Sequence, residues 1–127
     1  MISLYFDHCK QIIERFQYKI ENTQITLKLY SIERGYLEGT ILFIDNSRLE
    51  FLEVKDVELD GKIKYRYHYM DSRDELIFRY DNAKHHKEFD SFPNHKHDKN
   101  AVVNSTEPEL NDILFEIQII VLRENKI

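Results

Sequence analysis

The chain has a single cysteine, Cys9, in 127 residues. A disulfide framework and a cysteine-rich zinc module are therefore excluded. Positive charge is also scarce: 18 Lys+Arg stand against 23 Asp+Glu, a formal net charge of −5. That balance excludes a uniformly basic coat for nucleic acid, but not a localised basic site. No apolar run approaches the roughly 18 residues of a membrane span. No secretory signal pattern is found, so the expectation is a cytoplasmic chain with no membrane attachment. There is no Gly-rich phosphate loop, no Rossmann fingerprint and no Ser nucleophile elbow.

The residues that are present are apolar and aromatic. Hydrophobic residues make up 42%, with eight Tyr and eight Phe, too many for a disordered chain. The length suits one domain over residues 1–127, able to bury roughly two-thirds of its unfolded surface. Histidine is unevenly placed: of six, four fall between residues 85 and 97.

Residues 3–21 show helical periodicity, with Tyr5, Cys9, Ile12, Ile13, Phe16 and Ile20 at three- and four-residue spacing. From about residue 25 the period becomes two. Strands are expected over 36–44, 48–57, 62–70 and 75–80, after a first one that includes Ile25, Leu27 and Leu29. Turn chemistry separates them at Arg34-Gly35, Asp45-Asn46-Ser47, Asp60-Gly61 and 71–74. Connections this short require antiparallel neighbours. Residues 81–105 read as a long polar loop, with a short strand around Ala101–Val103. The spacing then predicts a helix over 107–124, with Thr106 as cap, Glu109 completing a capping box and Pro108 in the first turn. The expected architecture is α+β: an N-terminal helix, a five-stranded antiparallel meander sheet, a histidine-rich loop and a C-terminal helix.

Taking Asp60-Gly61 as a two-residue hairpin turn sets a register in which Glu53 opposes His68 and Lys55 opposes Arg66. One face then carries Leu52, Val54, Tyr65, Tyr67, Tyr69, Leu76, Phe78 and Tyr80 and becomes the core. The other carries Glu53, Lys55, Lys64, Arg66, His68 and Arg79, with Leu42, Ile44, Leu49 and Phe51 toward one end. A one-residue slip in either turn would exchange faces.

The concentrated chemical signal is Arg79-Tyr80-Asp81-Asn82, His85-His86 and Pro93-Asn94-His95-Lys96-His97. Histidine passes protons either way near neutrality. RNA cleavage through the ribose 2′-hydroxyl needs a base, an acid and cations for the phosphate, and no metal. His68, His85, His86, His95 and His97 are candidates for proton transfer. Arg66, Arg79 and Lys96 are candidates for holding the phosphate, with Asp81 in support. Glu53 would orient His68. No cofactor is expected on this reading. Two others stay open. His-x-His with His-His and Asp81 can supply three or four metal ligands, although the spacing matches no specific zinc signature. The loop can also be solvated, with Asp81-Asn82 capping a turn. Stacking of bases on Tyr65, Tyr67 and Tyr69 is a weaker reading than core packing, which the period of two explains.

The same residues resemble a known family, the TumE-type toxins of prokaryotic toxin–antitoxin pairs. The resemblance rests on the stretches 46–53, 64–69 and 78–86, on Phe92-Pro93-Asn94-His95-Lys96-His97, and on Leu110, Ile113 and Leu114 of the closing helix. It covers about residues 36–122, and the first 30 residues add little. Lys84 stands where a proline often precedes the paired histidines in the family. The resemblance implies a small cytoplasmic toxin with a cognate antitoxin as partner. RNA as substrate follows from the histidine and arginine chemistry instead. A non-enzymatic module binding RNA, a nucleotide or a protein is the alternative, as is a metal-dependent nuclease. The helical stripes suit a homodimer and an antitoxin groove equally.

Overall fold

The structure is a computed structural model that describes residues 1–83, 93–98 and 101–124. Helix α1 spans Ile2–Arg15 and is followed by one 3-10 turn, Gln17–Lys19. Among the described residues seven strands follow: β1 Ile20–Leu29, β2 Arg34–Phe43, β3 Arg48–Asp56, β4 Lys64–Met70, β5 Leu76–Asp81, β6 His95–Asp98 and β7 Val102–Asn104. Helix α2, Leu110–Glu124, closes the chain. The strands form one antiparallel sheet in the order of the sequence. The α+β meander is as expected, with seven strands in place of five. Both extra strands lie inside the region read as a loop: β7 falls at the short strand expected around Ala101–Val103, and β6 was not expected. His95 and His97 therefore sit on a strand.

Both helices pack on one face. Ile2, Phe6, Cys9, Ile12, Ile13 and Phe16 of α1 join Leu110, Ile113, Leu114, Ile117 and Val121 of α2 in a single core cluster. The sheet supplies Leu37, Ile41, Leu49, Phe51, Tyr65, Tyr67, Tyr69 and Phe78 to the same cluster. Alternation dictates this choice, because residues two apart in a strand share a face. Gly39 lies in the middle of β2 because a side chain there would meet the Phe51 ring at 2.7 Å.

The first helix ends six residues earlier than its periodicity predicts. The stripe running on to Ile20 is continued by the 3-10 turn and the start of β1. The second helix starts three residues later than expected. Its cap is not Thr106: the Asp112 carboxylate accepts the Glu109 N–H at 2.9 Å, the reach-back half of a capping box. Pro108 precedes this start and is buried.

The β3–β4 register corrects the expectation. Glu53 opposes Tyr65, and His68 opposes Glu50. A two-residue I′ turn needs positive φ at both central residues. Here Gly61 has φ 72°, and among the described residues Asn46 and Asp74 are the other two with positive φ. The connection is a wide loop instead, pinned from outside. Lys55 Nζ donates to the carbonyls of Leu59 at 2.8 Å and Gly61 at 2.6 Å. Lys62 N–H donates to Glu107 at 3.0 Å, and Lys62 Nζ to the Pro108 carbonyl at 2.7 Å. The ladder is displaced by three residues, an odd number, so β3 turns over relative to β4. Leu49, Phe51 and Glu53 face the core, and Leu52 and Val54 lie half-buried on the far face. A four-residue loop at 71–74 sets His68 against Ile77 and Arg66 against Arg79; the observed ladder is displaced from that by two, which preserves the faces: His68 opposes Arg79, and Arg66 opposes Asp81.

Candidate functional site

Continuous pairing puts opposed residues in lines across the face away from the helices. One line runs Thr40, Glu50, His68, Arg79, His97 and Val102, from β2 to β7. The next runs Glu38, Leu52, Arg66, Asp81, His95 and Asn104. The face is electrically polarised. Glu38 and Glu50 sit toward β2 and β3, with Arg48 of β3 ion-paired to Glu50 at 3.2 Å. Guanidinium and imidazole groups collect on β4 to β6, around Asp81. A depression of about 400 Å³ adjoins them, with Gln24, Glu38, Thr40, Glu50 and Arg66 among its lining.

Asp81 is the centre of the cationic end, with its side chain 3% exposed. Its Oδ1 lies 2.7 Å from His95 Nε2 and accepts the Ala83 N–H at 3.0 Å. Its Oδ2 lies 3.0 Å from Arg79 Nε and 3.6 Å from His97 Nε2. The His95 and His97 rings meet edge to face, their centroids 4.8 Å apart. His95 Nδ1 is 3.0 Å from the Pro93 carbonyl. Arg79, Asp81, His95 and His97 thus form one contiguous cluster, in which Asp81 and His95 are buried and Arg79 and His97 reach solvent.

His68 stands beside this cluster on β4. Burial holds its pKa below the ordinary 6.5, and the positive charges of Arg79, Arg66 and Arg48 act in the same direction. The Glu50 charge opposes them. Its imidazole is therefore mainly neutral at pH 7.

Two expected site residues lie elsewhere. Glu53 does not orient His68. It is fully buried on the core face, where it accepts hydrogen bonds from the Tyr5 hydroxyl and from the Tyr67 hydroxyl at 2.8 Å. Burial, followed by the Glu53 charge, pushes both phenols above their usual range, so both remain donors. Lys96 alternates with its histidine neighbours and points toward α2. Its Nζ bonds Glu116 Oε1 at 2.7 Å and lies 4.9 Å from the Tyr80 ring centroid. Tyr80 donates to the other Glu116 oxygen at 2.9 Å. Lys96 anchors the helix and does not reach the cationic face. His85 and His86 lie outside the described residues.

Sequence reasoning missed Glu50, the residue opposite His68, and the Pro93 carbonyl behind His95. The first follows from the correct β3–β4 register. The second needed β6 to be recognised as a strand, and the alternation in His95-Lys96-His97 was the available signal.

Together, these features define a small helix-backed antiparallel sheet carrying an imidazole- and guanidinium-lined site on its other face. Among the described residues, no helix is long and apolar enough to cross a membrane. The chain belongs to the TumE toxin family, whose model, described as toxin TumE, matches residues 10–124. The match begins within α1, so it takes in more of the N-terminal region than the motif resemblance did. Membership makes this a toxin and implies an antitoxin as partner. Neither the curated proteins nor the solved structures contain a match to the chain.

Proposed function

We propose that this toxin cleaves RNA without a metal, at the line His68–Arg79–His97. The supporting observation is the placement of these residues at opposed positions of three adjacent strands, with Arg66 and Asp81 in the next line. Adjacent strands lie about 4.8 Å apart, so the two histidines flank Arg79 with backbones about 10 Å from each other. A phosphodiester drawn to Arg66 and Arg79 would sit between two imidazoles. His68, held neutral, is the base for the 2′-hydroxyl proton. His97, beside the Asp81 carboxylate, is the acid for the leaving 5′-oxygen. The new bond joins the 2′-oxygen to phosphorus, and the bond to the 5′-oxygen breaks. Asp81 and His95 act from behind, setting the positions of Arg79 and His97.

Purified protein should degrade RNA in EDTA. His68→Ala and His97→Ala should each lower the rate by about 10²- to 10⁴-fold, the usual worth of a positioned acid or base, while circular dichroism shows the fold retained. Intact RNA after long incubation at high protein concentration would refute the reading. Salt-sensitive RNA binding without turnover would put a binding module in its place.

A further inference from the structure

We propose that Asp81, His95 and His97 form a binding site for one divalent transition-metal ion of the zinc class, and that filling it switches the RNA site off. The switching rests on the RNA reading above; the binding does not. Asp81 and His95 are direct partners across the β5–β6 ladder, and His97 lies two residues further along the same face. One ligand atom from each, all mutually within 4.8 Å, is available. Two imidazoles and a carboxylate suit a zinc-type ion, and three protein ligands leave a fourth position open. That position faces outward, because the His97 side chain is 23% exposed whereas the other two are almost fully buried.

The strongest sign comes from the two ends of His95. A carbonyl oxygen only accepts hydrogen bonds, so the 3.0 Å contact with Pro93 puts a proton on Nδ1. The lone pair of Nε2 then faces a carboxylate oxygen at 2.7 Å. That separation is a hydrogen-bond distance; an ion ligated by both atoms at about 2.0–2.1 Å in tetrahedral geometry parts them to about 3.3 Å, a shift of roughly half an ångström. A ligating imidazole typically has its other nitrogen bonded to a carbonyl, as Pro93 provides here. Arg79 holds the Asp81 oxygen farther from His95, the kind of outer support a ligating carboxylate receives. An ion at this place competes with a second proton on His95 and takes the Nε2 lone pair of His97. His97 can then no longer pass a proton to a leaving group.

The test uses the full chain, freed of metal by EDTA and exchanged into chelator-free buffer. Titration with Co²⁺ should give the visible bands of a four-coordinate nitrogen–oxygen site, saturating at one equivalent, and Zn²⁺ should displace them. His97→Ala should weaken binding at least tenfold, and Zn²⁺ should raise the melting temperature of the wild type more than that of the variant. One equivalent of Zn²⁺ should stop RNA cleavage, and EDTA should restore it. Absence of stoichiometric Co²⁺ or Zn²⁺ binding would overturn the site, as would equal affinity in His97→Ala. Cleavage stimulated by Zn²⁺ would overturn the switch. RNA left intact in EDTA by a protein that binds Co²⁺ would overturn the RNA reading and uphold the site.

Discussion

Glu53→Ala separates two placements of one carboxylate. On the core face Glu53 is fully buried and accepts the hydroxyls of Tyr5 and Tyr67. Removing it leaves the buried Tyr67 donor unpaired, at about 1–3 kcal/mol, and the half-buried Tyr5 donor unpaired at a smaller cost. The truncated side chain also leaves a void between α1 and the sheet, so a loss of about 3–5 kcal/mol is expected. A domain of this size changes its melting temperature by about 3–5 °C per kcal/mol. Glu53→Ala should therefore melt about 10–20 °C below the wild type. RNA cleavage at a temperature where the variant remains folded should fall by less than about twofold, because Glu53 does not reach the cationic face. A carboxylate on that face would behave oppositely: stability would stay within about 0.5 kcal/mol, as for ordinary surface changes, and activity would collapse. Thermal unfolding by circular dichroism and single-turnover cleavage decide between them. An unchanged melting temperature with lost activity would refute the register and everything built on it.

His68 should titrate below its ordinary 6.5 in the folded protein, read from its ring resonances by NMR. The unfolded chain then binds the proton more readily, so the His68 contribution to stability is present above about pH 6.5 and is lost as pH falls through the lower folded value. His68→Gln should flatten the stability–pH curve in that window; an unchanged slope would contradict the shift. The Cys9 thiol, pushed up to about 12 by burial and the Glu53 charge, should resist alkylation at pH 8 until the protein unfolds, whereas native reaction at the rate of a free thiol would contradict its packing. Gly39→Ala drives a methyl to 2.7 Å from the Phe51 ring and should destabilise by about 1–3 kcal/mol in a urea titration, with a neutral result placing that ring elsewhere.

The terminal helices and the aromatic face were legible because each rests on period alone. Tyr65, Tyr67 and Tyr69 face the core whatever the register of their neighbours, since they alternate within one strand. The place of the turn at 71–74 was legible too, because Asp71 supplies its own local acceptor: its carboxylate takes the N–H groups of Arg73 and Glu75; the pairing across it, displaced by two, was not. The loop before β4 was not legible, because its shape is set by Glu107 and Pro108, more than 40 residues away. Turn chemistry sees only adjacent residues. That one loop moved Glu53 to the core and left Glu50 opposite His68. Residues 95–98 hid their strand for a different reason. Their alternation is imidazole against lysine, and the lysine's apolar stem and its partner Glu116 make it an inward residue. Of the expected histidines, the structure joins His95 and His97 to Arg79 and Asp81 and sets His68 alongside.

The sequential strand order also bears on how the chain assembles. Among the described residues every sheet pairing joins neighbours in sequence, so each strand can zip onto the one before it at little entropic expense, the longest connection being that from Asp81 to His95. The exception is the seam between α1 and α2, which brings together the two ends of the chain. Low-separation contacts form early and long closures late. The lines carrying His68, Arg79 and His97 should therefore be in place before α2 seals the aromatic face. Until that last helix docks, the chain exposes Tyr67, Tyr69 and Phe78, and self-association competes with folding at that stage.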